Sequence, residues 1–152
     1  MEVRKDDLTI KFKMSNTTVI ERLVIPSDLS NVSLVESLID KVCTDLTINE
    51  DLYGNVLIAV TEAVNNAIIH GNAFNIDKSV IVEVIQDDES FTFRITDEGQ
   101  GFDYLNLPDP TAPENIEKEN GRGIFLIQNL SDSLGFEDNG KVAVITFDKS
   151  NA

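Results

Sequence analysis

The chain predicts an α+β two-layer sandwich, with a mostly antiparallel mixed sheet covered on one face by three helices. Two observations carry this. Segments that read as strands alternate apolar and polar residues, as suits a sheet with one face packed and the other solvated. Segments that read as helices repeat their apolar residues at spacings of three and four, which gives each helix one buried stripe. With 152 residues, 41% of them apolar, one domain spanning 1–152 with an ordinary core is expected. No internal repeat or linker divides it.

Leu8 to Met14 alternate, and after the polar turn Ser15-Asn16-Thr17-Thr18 the stretch Val19 to Ile25 reads as the returning strand of an antiparallel hairpin closed by Pro26. Ser27, Asp28 or Ser30 then caps a first helix built on Leu34, Val35, Leu38, Ile39, Val42 and Leu46, ending near Thr47. Asn49 caps the long second helix, with Glu50 and Asp51 at its electropositive start. Its apolar arc is Leu52, Val56, Ala59, Val60, Ala63 and Ala67, and Gly71 is expected to end it in a left-handed conformation. Two strands follow whose inward sets are Val80, Val82, Val84 and Phe91, Phe93, Ile95, joined by an acidic turn. From Glu98 to Asn120 glycines and three prolines break regular structure, and the composition suits a functional lid at about 103–120. Gly121-Arg122-Gly123 opens a short third helix through IFLIQNL, and two strands around LGFE and VAVITF close the chain across a turn at Asp138-Asn139-Gly140.

A net charge of −15 without a basic run argues against nucleic acid as a partner, because phosphate binding relies on clustered Lys and Arg. The single Cys43 excludes an internal disulfide, and the single His70 excludes a His-rich or Cys-His zinc site. The N-terminal stretch lacks the apolar core of a signal peptide, and no window approaches the roughly 18 apolar residues of a membrane span. A cytoplasmic protein with no membrane contact is expected.

Three places could hold chemistry. Glu62 and Asn66 stand four residues apart on the second helix, about 40° apart around its axis, at the edge of the apolar arc. They can act on one ligand, although an ordinary helix border would look the same. Asp97 ends a buried strand and precedes Gly99 and Gly101, so a strand-end acceptor meets glycines that admit close approach of a ligand or form a tight turn. Gly99 breaks the spacing a calcium loop needs. Gly121 and Gly123 lack the third glycine of a dinucleotide fingerprint, yet at a helix start they can offer N–H groups to phosphates.

The order Glu-x-x-x-Asn, Asp-x-Gly-x-Gly, lid, Gly-x-Gly resembles the Bergerat-fold ATP-binding domain of the GHKL superfamily, which includes gyrase, MutL and histidine kinases. EAVNNAIIHGN, DEGQGFD and GRGIFLIQNLSD are similar to its short anti-sigma factor and serine-protein kinase branch. The resemblance implies ATP and Mg2+ as cofactors. It makes Asn66 the magnesium ligand and Glu62 the general base that activates a serine hydroxyl or a water. Asp97 would accept from the adenine amino group, with Gly99 and Gly101 shaping the base site. Gly121, Arg122 and Gly123 would hold the phosphates, and Thr146 would support adenine through water. It further implies a small anti-sigma antagonist protein as substrate and a sigma-like factor as partner, and it admits a homodimer. One departure stands out: kinases of this branch place an arginine of the first helix near the γ-phosphate, and SDLSNVSLVESLIDKV has none. A non-catalytic, nucleotide-dependent module that sequesters a sigma-like factor is the alternative.

Overall fold

The structure, a computed structural model, describes residues 17–106 and 119–151. Five strands, β1 (Thr18–Pro26), β2 (Ser79–Gln86), β3 (Ser90–Thr96), β4 (Ser133–Glu137) and β5 (Val142–Asp148), form one sheet in the order β1-β2-β3-β5-β4. Each neighbouring pair is antiparallel. The helices are α1 (Val32–Asp45), α2 (Glu50–Asn66) and α3 (Glu119–Leu130). The α+β prediction stands, with every described strand pair antiparallel rather than mixed. Leu8–Met14, the expected partner of β1, and most of the expected lid lie outside the described residues.

Register explains why one face is core. Ile25 faces Val80, Val82 faces Ile95, Phe93 faces Ile145 and Phe91 faces Phe147, so successive strands bury the same side. Those residues are 0–2% exposed. Phe91 stacks on Phe147 at 5.4 Å, and Phe93 meets both rings edge-on. The helices lay their stripes on this layer: Val35, Ile39 and Val42 from α1, and Leu52, Val56, Ala59, Val60, Ala63 and Val64 from α2. Burying each Val, Ile, Leu or Phe of this core contributes about 1.5–3 kcal/mol.

Local signals act largely as expected. The Asn49 side chain accepts from Leu52 N at 2.8 Å and caps α2, and Glu50 and Asp51 occupy its first turn. Asp28 caps a short 3-10 turn, Leu29–Asn31, that leads into α1. α1 stops at Asp45, two residues before the expected end, because Thr47 turns left-handed at φ 55°. That turn lets Thr47 N donate to Thr44 O and Ile48 N to Cys43 O, which satisfies carbonyls the helix leaves open. Leu34, expected inside, is half-exposed. α3 starts at Glu119, so the glycines lie within its first turns rather than before them.

One expectation about membranes is corrected. The helical run Glu50–Gly71, 22 residues, is long and apolar enough to cross a bilayer by length and composition. Its apolar side instead packs on the sheet, and its border carries Glu62 and Asn66.

Candidate functional site

A cleft with about 680 Å³ of space, part of it open to solvent, lies between the C-terminal half of α2, the loop after β3, α3 and the β4–β5 hairpin. Asn66, Gly71, Asp97, Gly101, Ile124 and Lys141 are among the residues that line it. Two sequence-distant boxes thus meet in one space.

The end of α2 shapes the cleft. Over Ala67–Gly71 the helix widens into a π turn, and Asn72 N donates five residues back to Ala67 O at 2.8 Å. Gly71 does not take the left-handed conformation expected of it; Ala73 and Phe74 do, at φ 50° and 60°. Glycine is needed here for space. A Cβ on Gly71 would stand 2.5 Å from the Asp97 carboxylate, and one on Gly99 would stand 2.0 Å from Gly71 O. The helix end and the strand end therefore interlock through backbone, and Asp97 lies across the junction. Its Oδ1 accepts from Gly99 N at 2.8 Å, and its own N–H donates to Lys141 O at 2.9 Å. Burial raises the Asp97 pKa, while the Gly99 amide and the positive charges of Lys141 and Lys78 pull it part of the way back.

Gly101 is set by a second contact. Its φ is +80°, and a Cβ would stand 2.1 Å from Asn139 O, the same carbonyl that accepts from Phe102 N at 2.9 Å. The loop after Asp97 thus rests on the β4–β5 turn. Phe102, Tyr104 and Phe136 close over this junction, with Phe136 5.0 Å from Phe102 and 5.1 Å from Tyr104 between ring centres. Phe102 and Phe136 also line the cleft.

Glu62 and Asn66 meet α3 at Gly123. A Cβ there would stand 2.5 Å from Glu62 Oε1 and 3.0 Å from Asn66 Nδ2, so both side chains lie against bare helix backbone. Gly121 lies in the first turn of α3, and Arg122 is exposed. A carboxylate and a carboxamide are thereby brought together against the first turns of α3.

Thr146 does not join them. Ile145 and Phe147 on either side point into the core, so Thr146 points to the outer face, where its hydroxyl pairs with Thr92 Oγ1 at 3.0 Å. The β5 residue that lines the cleft is Ala143, opposite Ile95. Sequence reasoning also passed over Asn72, which is 2% exposed and hydrogen-bonded on both sides of its amide.

A family model for the histidine kinase-like ATPase domain matches residues 25–148, which include every box described above. The serine-protein kinases RsbW of Staphylococcus aureus strains JH9, Newman and JH1 are each 31% identical over 119 residues, 72% of this chain and 74% of the relative. A family match over most of the chain, together with relatives 31% identical over 72% of it, means that the chain belongs to the histidine kinase-like ATPase domain family of the GHKL superfamily, in the branch of the RsbW serine-protein kinases.

Proposed function

We propose that this protein is an ATP-dependent serine-protein kinase that binds a sigma-like factor and phosphorylates a serine on a small anti-sigma antagonist, acting in the cytoplasm. The observation that supports this most is the convergence of Glu62 and Asn66 on the backbone of Gly123, in a molecule whose cleft also contains Asp97. Asp97, ionised, accepts from the adenine amino group, with Gly99 and Gly101 fixing the turn around it. The N–H groups at the start of α3, near Gly121 and Gly123, face the phosphates, and Arg122 adds positive charge. Thr146 has no part in this reading.

Asn66 and Glu62 are oxygen donors of the type Mg2+ takes, and Gly123 leaves the space beside them that a Cβ would fill. Among the described residues no three His, Cys, Asp or Glu side chains converge, so Asn66 would share the ion with phosphate oxygens and water. When bound, Mg2+ neutralises charge on the phosphates. Glu62 accepts the proton of the serine hydroxyl as its oxygen bonds to the γ-phosphorus. The bond from that phosphorus to the β–γ bridging oxygen breaks, and ADP leaves.

The alternative is a nucleotide-dependent module that sequesters its partner without transfer. It is favoured by the first helix, which carries no arginine and whose Lys41 is paired with Glu21 on β1. Labelled ATP with magnesium and each candidate antagonist decides between them, since transfer to a serine supports the kinase and binding without transfer supports the module. Within the kinase reading, Asn66→Ala abolishes magnesium-dependent ATP binding. Glu62→Ala retains binding and loses transfer by about 10²–10⁴-fold. Equal loss of affinity in both variants contradicts the assignment.

A further inference from the structure

Asp97 can read a base only if the turn behind it is held still, and the side chain that holds it is Asn72. Glu98 N donates to Asn72 Oδ1 at 2.7 Å. On the other side of the amide, Nδ2 donates to Ser27 Oγ at 2.9 Å and to Ser79 O at 3.0 Å. The orientation of the amide follows from its partners. The Ser27 hydroxyl gives its own proton to Lys78 O at 2.6 Å, so it accepts from Asn72, and Ser79 O can only accept. Asn72 and Ser27 are both 2% exposed, and no buried side-chain polar atom among the described residues lacks a partner. Ser79 N donates to the Glu98 side chain at 2.6 Å, a second tie on the same turn. Asn72 thus joins the exit of β1, the start of β2 and the residue directly after Asp97, while its own backbone closes the π turn that presents Gly71.

We propose that Asn72 is the positioning residue for the base-reading carboxylate and that it sets the preference for adenine over guanine nucleotides. This rests on the reading that Asp97 accepts from the adenine amino group. Guanine presents an oxygen at that position, so a fixed carboxylate meets a second acceptor and rejects it. A carboxylate free to turn away loses part of that rejection.

Equilibrium binding of ATP and GTP with magnesium to the full chain tests this. Asn72→Ala is expected to lower the ratio of GTP to ATP dissociation constants by about tenfold, the scale of one lost buried hydrogen bond. Ser27→Ala cuts the same network away from the turn and is expected to lower Tm while leaving the ratio within about twofold. An unchanged ratio in Asn72→Ala, whatever happens to Tm, makes Asn72 a structural clasp only and overturns the proposal. So does a ratio that falls equally in both variants. Asp97→Asn separates the underlying reading, because a wild-type ratio there shows that Asp97 does not read the base at all. Should Asn72→Ala not fold, amide hydrogen exchange on the wild-type protein still decides. The Glu98 amide is expected to exchange as slowly as the amides of β3, and fast exchange overturns the proposal.

Discussion

Glu62 and Gly71 lie nine residues apart along the helical run Glu50–Gly71, roughly 13 Å at the α-helical rise, and the two ends of the site that they mark are built by different means. At the Gly71 end, Gly99 and Gly101 each leave out a Cβ that would strike a backbone carbonyl, Gly71 O and Asn139 O, while Gly71 leaves out one that would strike the Asp97 carboxylate. At the Glu62 end, the tips of two flexible side chains lie on the backbone of Gly123. Main chain cannot retreat without moving a turn, whereas a glutamate tip can swing aside at little cost. The base end is therefore rigid by construction, and the phosphate end has freedom to rearrange. Substitutions at the two ends should separate stability from activity.

The largest effect is expected at Gly123. In Gly123→Ala the new methyl displaces Glu62 Oε1, which stands 2.5 Å away, and the carboxylate yields first because it is the end of a flexible side chain. Replacing glycine by alanine inside a helix stabilises it by up to about 1 kcal/mol, so urea unfolding is expected to show equal or greater stability. Phosphotransfer is expected to fall by about 10²–10⁴-fold, the contribution of a general base. A variant with wild-type transfer would mean that Glu62 does not act from this position.

Gly101→Ala is expected to act in the opposite sense. A methyl at φ +80° and 2.1 Å from Asn139 O strains the residue and strikes a carbonyl in a tight turn. The two costs together are about 3 kcal/mol of stability, with ATP affinity falling alongside because the Asp97 turn moves. Thermal and urea unfolding measure the first, and titration calorimetry the second. Loss of affinity at unchanged stability would mean that the turn is softer than its contacts imply and would weaken the contrast between the two ends.

How much of this was legible depended on whether a signal was local. Val80, Val82 and Val84 could be placed because Glu83 between them marks the opposite face of β2 as the outer one, and Glu62 and Asn66 because four residues along a helix is one turn. Gly71 could not be understood locally, since the reason for it is Asp97, which folding alone brings against it. Asn72 was illegible as a hub for the same cause: its partners are Ser27, Ser79 and Glu98. Thr146 was misplaced because VAVITF is apolar on both faces, so its alternation does not say which side is in. Only the pairing of Ala143 with Ile95 and of Thr146 with Thr92 decides it. The start of α3 was missed because Glu119 and Asn120 carry no apolar signal.

The smallest predicted effect, and the one that bears most directly on the rigid end, is on pH dependence. Burial raises the Asp97 pKa above the ordinary aspartate value of 3.8, against the opposing pull of the Gly99 amide, Lys141 and Lys78. For an acid whose folded pKa is raised, the contribution to stability is fully present below the unfolded pKa and is lost as pH rises through the folded pKa. ATP binding runs the other way, because the amino group of adenine is best met by the ionised carboxylate, so affinity is lost as pH falls through that same range. Asp97→Asn has no proton to exchange there. Relative to this variant, the empty wild-type protein should lose stability, and gain ATP affinity, as pH rises from 3.8 through the raised pKa. Using the same nucleotide with both proteins removes the titration of ATP itself, and the difference between the curves isolates Asp97 from the other acids of the chain. Parallel stability curves would show that Asp97 titrates like an exposed aspartate and that the base end is less enclosed than its glycine contacts require, whereas parallel affinity curves would show that its ionisation does not govern ATP binding.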